Sequence, residues 1–368
     1  MEWYQAELTD TIDSPALLIY PDRIRENIRR AVAMTGTPDR LYPHVKTVKM
    51  PAVIRLMMEE GITGFKCSTI AEAEMLAREG ASNILYAMQP TGNKIPRLAS
   101  LVKEFPNSRF SCLVDAATVA TEISEYFLAE DQIAGIYIDL NVGMNRTGIY
   151  PGTDAFELLT FCSMLKGIRF YGFHAYDGHL RNPDVNERSL EAEAAFAPVQ
   201  ELREAAERSG YGYPSLIAGG SPSFAYHCMQ PDRICSPGTF ALWDYGYMIN
   251  CTEQPFEPAA VVFSRVISIP GPDRVCLDLG HKSVAAENPP DQRVHFLNVP
   301  GMTMLSQSEE HLVAGVENAY DFKPGDIVYA LPWHICPTVA LYDQALVIQD
   351  HQPAAYWDIP ARKRKLTI

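Results

Sequence analysis

The sequence predicts an α/β protein built as a (β/α)8 barrel of the TIM type followed by a β-rich C-terminal domain. Three observations carry that reading. From Asp13 onward, short β-branched apolar runs alternate with segments of helical spacing. Eight such strands precede Trp243, each but the last followed by a helical segment. That is the rhythm of a closed parallel barrel, although an open doubly wound sheet produces the same alternation. After Trp243 the helical spacing stops, and strands follow one another across Pro and Gly turns. The length, 368 residues, agrees with two domains. The division places the barrel at 13–242 and gives 243–368, with the N-terminal segment 1–12, to the β-rich domain.

The barrel strands are expected at Leu41–Val45, Thr63–Cys67, Asn83–Ala87, Arg109–Val114, Gly135–Leu140, Arg169–Ala175, Pro214–Ala218 and Arg233–Cys235. Helices are expected near Pro21–Met34, Pro51–Glu60, Thr69–Gly80, Lys94–Glu104, Ala116–Leu128, Asp154–Leu165 and Arg188–Ser209. Thr69-Ile70-Ala71-Glu72 reads as a capping box, in which hydroxyl and carboxylate satisfy the first orphan amides, and Gly80 ends that helix. The second domain should contain strands at Val261–Ile269, Arg274–Leu279, Arg293–Leu297, His311–Val316, Asp326–Leu331 and Thr338–Ile348. Turns such as Pro270-Gly271-Pro272 and Lys323-Pro324-Gly325-Asp326 part them.

Composition excludes several classes of function. Hydrophobic residues make up 47% and charged residues 21%, an ordinary globular balance that a disordered or fibrous chain lacks. Lys+Arg 31 against Asp+Glu 45 gives a net charge of -14, which offers nucleic acid no footprint and is repelled by anionic membranes. The basic run Arg362-Lys363-Arg364-Lys365 reads as a solvated tail. The eight cysteines contain no CxxC pair, the first ten residues carry three acidic groups and no signal core, and no run nears about 18 apolar residues. The expected compartment is the cytoplasm, with the cysteines free.

Five constellations carry candidate chemistry. Lys46, in Pro43-His44-Val45-Lys46-Thr47, would end the first barrel strand and point into the mouth, where active sites of this fold lie. Burial and cationic neighbours would make it a nucleophile for an aldehyde; the alternative is a surface lysine, as for Lys49. Arg146, within Val142-Gly143-Met144-Asn145-Arg146-Thr147-Gly148, presents a fork for a carboxylate or phenolate, or else pairs with a nearby Asp. His174, Tyr176 and His179 cluster after the sixth strand and suit stacking on an aromatic ligand or general-base work. Gly219-Gly220-Ser221 and Ser236-Pro237-Gly238-Thr239 end the seventh and eighth strands, where such barrels hold phosphate on backbone N–H groups and hydroxyls. His334 and Cys336, two apart on an extended strand, would face one side and suit Zn²⁺ or Mn²⁺ with open positions, unless they are an unrelated pair.

Taken in order from about Asp13 to Ala340, these segments, with Asp278-Leu279-Gly280-His281-Lys282 and Pro332-Trp333-His334-Ile335-Cys336-Pro337-Thr338, resemble one family. It is the D-threonine aldolase/D-serine dehydratase branch of the alanine-racemase-like, fold type III pyridoxal-phosphate enzymes. The resemblance implies that Lys46 binds pyridoxal phosphate covalently and that Arg146 lies near its phenolic oxygen and the substrate carboxylate. It further implies that Gly219, Gly220, Ser221, Gly238 and Thr239 hold the phosphate and that Tyr176, beside His174, lines the pocket. His334 and Cys336 would bind a divalent metal (Zn, Mn or Mg). Such enzymes are homodimers with active sites at the subunit interface.

Two reactions follow from such a site, because the cofactor is an electron sink and a metal beside a β-hydroxyl makes it a better leaving group or a more acidic alcohol. The first is β-elimination to a keto acid and ammonia. The second is retro-aldol cleavage of a D-β-hydroxy amino acid to glycine and an aldehyde, which needs a base; His179 is the candidate. This second reaction is the expectation. A racemase is the further alternative, ranked below a lyase because a metal pair would be superfluous to racemisation. A non-enzymatic cofactor carrier is disfavoured by the residues after Trp243. The chain departs from the family where Val48 replaces a His and Ile234 a Glu. The His-x-Cys pair resembles the dehydratases, and Ala175-Tyr176-Asp177-Gly178-His179 the aldolases, with its His displaced.

Overall fold

The computed structural model describes residues 1–368, which form two compact units. One comprises Met1–Arg30, Thr47–Val53 and Thr239–Arg362; the other comprises Ala31–Lys46, Ile54–Gly238 and Lys363–Ile368. These bounds depart from the expected division at 242/243, and strand pairing gives the reason. Strand β1 (Ala16–Ile19) pairs antiparallel with residues 260–263 and parallel with 346–347, so the early chain belongs to the β-rich sheet. At the other end, Thr367 bonds Glu74 through its amide (3.2 Å) and its hydroxyl, and Arg78 donates to Thr367 Oγ1 at 2.7 Å. The basic run is solvated as expected, with Lys363, Arg364 and Lys365 exposed, and only the residues after it lie against a barrel helix.

The barrel unit holds seven parallel strands in sequence order: β2 (Gly64–Cys67), β3 (Asn83–Tyr86), β4 (Arg109–Val114), β5 (Ala134–Leu140), β6 (Ile168–Ala175), β7 (Ser215–Ala218) and β8 (Arg233–Cys235). The eighth place is taken by the segment from Leu41 to Lys46. Its two parallel bridges, Leu41 to Cys235 and His44 to Lys66, join the last strand to the first. Pro43 has no N–H to donate, so this segment pairs through bridges and not a full ladder. Leu85, Leu113, Tyr137 and Ile217, packed with Tyr42, Ala87, Tyr171 and Ile234, fill the interior. At the helix Ile70–Arg78, Thr69 Oγ1 accepts from Glu72 N (3.1 Å), while Glu72 Oε2 accepts from Ser68 N (2.7 Å). The capping box is present, its return bond displaced by one residue.

The β-rich unit adds β9 (Ala260–Gly271), β10 (Arg274–Leu277), β11 (Val294–Phe296), β12 (Thr303–Gln307), β13 (Leu312–Gly315), β14 (Ile327–Pro332), β15 (Gln344–Gln349) and β16 (Gln352–Asp358). The sheet order is β12-β13-β10-β9-β1-β15-β16, with β14 pairing both β9 and β11. Its core uses alternate residues: Leu18 and Tyr20, Val261 and Phe263, Tyr329 and Leu331, Leu346 and Ile348. That is the period of a pleated strand burying one face. The single strand expected at Thr338–Ile348 is corrected to a short helix, Ile335–Val339, followed by β15. Pro337 lies in the first turn of that helix, where a missing N–H is harmless, and Thr338 Oγ1 donates back to His334 O at 3.0 Å. No helix is long and apolar enough to cross a membrane.

Candidate active site

In the barrel unit, three cations gather on one ring. Lys46 Nζ, Lys66 Nζ and the Arg146 guanidinium lie 5.6, 5.5 and 5.0 Å from the centre of Tyr176. Each arrives from a different element. Lys46 ends the bridged segment, its N–H directed at His44 Nδ1 (3.3 Å). Arg146 rides a tight loop after β5, in which Asn141 Oδ1 accepts from the amides of Gly143 (3.1 Å) and Asn145 (3.0 Å). Tyr176 follows β6. Lys66 comes from the middle of β2 and escaped the sequence reading, although a lysine inside an apolar barrel strand was the signal for it.

The carboxylates near these cations are committed elsewhere. His174 Nδ1 lies 2.6 Å from Asp139 Oδ1, and His227 Nε2 lies 2.7 Å from Asp177 Oδ2. Ser223 also donates to Asp177 at 2.7 Å, and Arg233 donates to His227 Nδ1 at 2.8 Å. Burial opposes ionisation of both acids, yet their histidine partners outweigh it and hold both below the usual range. Burial, with Lys66 adding to it, lowers His174 against the pull of Asp139, whose carboxylate fixes the ring. The ion-pair partners of both carboxylates are thus histidines and not the clustered cations.

The two expected phosphate loops come together. Gly238 N donates to Ser221 Oγ at 3.2 Å, and Gly220 N to Ser223 Oγ at 3.3 Å. Gly219 has φ +77°, and a Cβ there would lie 2.3 Å from the buried His227 ring. One on Gly220 would lie 2.8 Å from Tyr176. Such bare backbone, close to cations and an aromatic face, fits a flat phosphorylated anion such as pyridoxal phosphate. The hydroxyl of Thr239, a residue expected at the phosphate, lies 3.6 Å from Cys336 Sγ. His179 packs on the Arg146 loop, where a Cβ on Gly143 would fall 2.7 Å from its Nε2. Its Nδ1 is buried without a hydrogen-bond partner.

In the β-rich unit, His334 and Cys336 do hydrogen-bond to each other, but not as alternate residues of one strand. His334 is the extended cap of the helix Ile335–Val339, and Cys336 lies in its first turn. His334 Nδ1 stands 2.6 Å from Glu287 Oε1, and Thr47 Oγ1 lies 3.0 Å from Cys336 Sγ. Asp244, fully buried, accepts from the amides of Tyr247 (2.9 Å) and Ile335 (3.1 Å). Burial pushes the Asp244 carboxyl up to about 6 despite those bonds. Burial opposes the charged forms of His334 and Cys336 as well, but their pairing wins: the imidazole rises to about 9 and the thiol falls. A thiolate and an imidazole braced by a carboxylate suit a divalent metal. No group of three or more His, Cys, Asp or Glu side chains is placed to hold one, so two protein donors would leave positions open.

Comparison with known proteins agrees with this geometry. The alanine racemase N-terminal domain model matches residues 19–243, and the serine dehydratase domain model matches 259–348. A D-threonine aldolase of Arthrobacter sp. is 28% identical over 362 residues, 95% of this chain and 93% of that one. A 3-hydroxy-D-aspartate aldolase of Paracoccus denitrificans (strain Pd 1222) is 24% identical over 366 residues, 95% and 92% of the two chains. The crystal structure of D-threonine aldolase from Filomicrobium marinum superposes with a TM-score of 0.90 at 26% identity, covering 98% of each chain. The first domain model spans more than half of the sequence, and with it the barrel is placed: the chain belongs to the alanine-racemase-like, fold type III family of pyridoxal-phosphate enzymes, in the D-threonine aldolase/D-serine dehydratase branch, and is a lyase.

Proposed function

We propose that this lyase acts on D-β-hydroxy amino acids with pyridoxal phosphate and a divalent metal, cleaving Cα–Cβ to give glycine and an aldehyde. The observation that carries the aldol direction is His179. It lies against the loop that bears Arg146, and its Nδ1 is buried with no protein partner. A base left unpaired in this way is available to a substrate hydroxyl.

When bound, pyridoxal phosphate supplies the electron sink for the pair released at Cα. Lys46 provides the amine for its aldehyde and afterwards a proton carrier for Cα. Arg146 offers its fork to a carboxylate or phenolate, and Tyr176 offers a flat face. The 219–221 loop would hold phosphate with the Ser221 hydroxyl, which the Gly238 amide orients by donating to its oxygen. His179 takes the β-hydroxyl proton as that oxygen becomes a carbonyl. His334 and Cys336 would hold the metal, whose Lewis acidity makes such a hydroxyl more acidic.

β-Elimination is the second reading, favoured by the His-x-Cys pair and by the serine dehydratase domain match over 259–348. Product analysis with D-threonine and D-serine, in metal or in chelator, tests both. Metal-dependent glycine and acetaldehyde are expected. Keto acid and ammonia would install the dehydratase reading, and interconversion of D- and L-forms without metal dependence would remove both.

A further inference from the structure

The roles above leave Lys66 unused. It is 1% exposed, and its side chain crosses the barrel interior from β2, donating to Ser236 Oγ at 2.6 Å and standing 3.4 Å from His174 Nε2. It has no ion pair, and an ammonium withdrawn from water without a carboxylate partner is costly. The groups that face it are Lys46 from the bridged segment, Asp139 from β5, Arg146 from the loop after it, and His174, Tyr176 and Asp177 from β6 and beyond. Asp139 and Asp177 are already held by histidines. Through Ser236, Lys66 also touches the turn whose Gly238 amide bonds Ser221. Burial first, and Lys46 second, push Lys66 down to about 7. Its amine is thus divided between charged and neutral forms near neutrality, and a nearby anion would draw the proton on.

We propose that Lys66 is a positioning residue of the cofactor site, a second buried amine that takes up a proton when an anionic ligand binds against Tyr176 and the 219–221 loop. The inference rests on pyridoxal phosphate being that ligand. Its sign is fixed by linkage: the charged amine favours the anion, so Lys66 contributes most to affinity at low pH and progressively less as pH rises above 7.

The test measures pyridoxal phosphate affinity against pH for the wild type and for Lys66→Met, with borohydride reduction and peptide mapping of the bound cofactor. Only titrations independent of Lys66 cancel in the ratio of affinities, so the pH dependence of that ratio reports Lys66 with the groups coupled to it. The wild-type advantage is expected to fall roughly tenfold between about pH 6.5 and about pH 8.5, with the label on Lys46 in both proteins. Proton uptake on binding, from calorimetry in buffers of different ionisation enthalpy, should be smaller for Lys66→Met. A ratio independent of pH, with Lys46 still labelled, overturns the role of Lys66 and leaves the cofactor assignment standing. Absence of label on Lys46 overturns both. Lys66→Arg gives a second reading should Lys66→Met fail to fold: its charge is fixed, so its affinity should exceed that of the wild type increasingly as pH rises. An Arg variant that tracks the wild type at every pH overturns the proposal.

Discussion

Lys66→Met should stabilise the cofactor-free protein, and by an amount that depends on pH in a fixed direction. The folded protein holds this amine near 7, against an ordinary value of 10.5. At about 1.4 kcal/mol per tenfold, the penalty on the charged form is about 5 kcal/mol below pH 7 and shrinks to about 2 kcal/mol by about pH 9. The unfolded chain binds the extra proton between 7 and 10.5, so wild-type stability rises with pH through that window while the Met variant lacks this component. Losing the hydrogen bond to Ser236 Oγ and the contact to His174 Nε2 returns about 2 kcal/mol. The net gain for Lys66→Met is therefore about 3 kcal/mol at about pH 6. Urea unfolding of both cofactor-free proteins at several pH values measures it. A Met variant no more stable than the wild type at acid pH, or a difference constant with pH, would falsify the picture of a costly buried amine.

Three further outcomes follow from the same contacts. Gly219→Ala should cost about 3 kcal/mol in urea unfolding, because Cβ at φ +77° drives into a His227 ring pinned by Asp177 and Arg233; a loss under about 1 kcal/mol would show that the ring can yield. His179→Ala should slow glycine release from D-threonine by about 100-fold or more while leaving cofactor absorbance unchanged; full activity would remove His179 as the base. Glu287→Gln should weaken divalent-metal binding by about 10-fold or more, since it loosens the carboxylate behind His334; equal metal titrations for both proteins would show that the brace is irrelevant.

The barrel was legible because its strands are short apolar runs parted by helices with ordinary caps. All eight segments occur where they were expected, the first reduced to two bridges by Pro43. The β-rich half was less legible. Strand β12 is largely exposed, so no alternation marks it, and β1 lies so early in the chain that only its long-range partners reveal its sheet. In the site, Lys46, Arg146 and Tyr176 converge and the two phosphate loops meet, since each ends a strand on one face of the ring. Lys66 was missed because a lysine within an apolar run looks like noise until its contacts to Ser236 and His174 are seen. Asp244 and Glu287 were missed for a related reason: they reach the His334–Cys336 pair from loops distant in sequence.

The boundaries between the two units fall at two of the motifs that carry chemistry. Lys46 and Gly238 end stretches of the barrel unit; Thr47 and Thr239 begin stretches of the β-rich unit. Both threonine hydroxyls lie on Cys336 Sγ, at 3.0 and 3.6 Å. The Thr47 hydroxyl also explains part of the depressed Cys336 thiol: burial opposes the thiolate, His334 favours it most, and Thr47 adds a hydrogen bond. Replacing Thr47 and Thr239 by Val keeps the shape and removes both donors. The double variant should raise the titration midpoint of Cys336. Alkylation by iodoacetamide of the metal-free protein reports it selectively, because the other seven cysteines are buried. An unmoved midpoint would mean that His334 alone sets the thiolate, and that the two junction residues serve the chain path and not the sulfur.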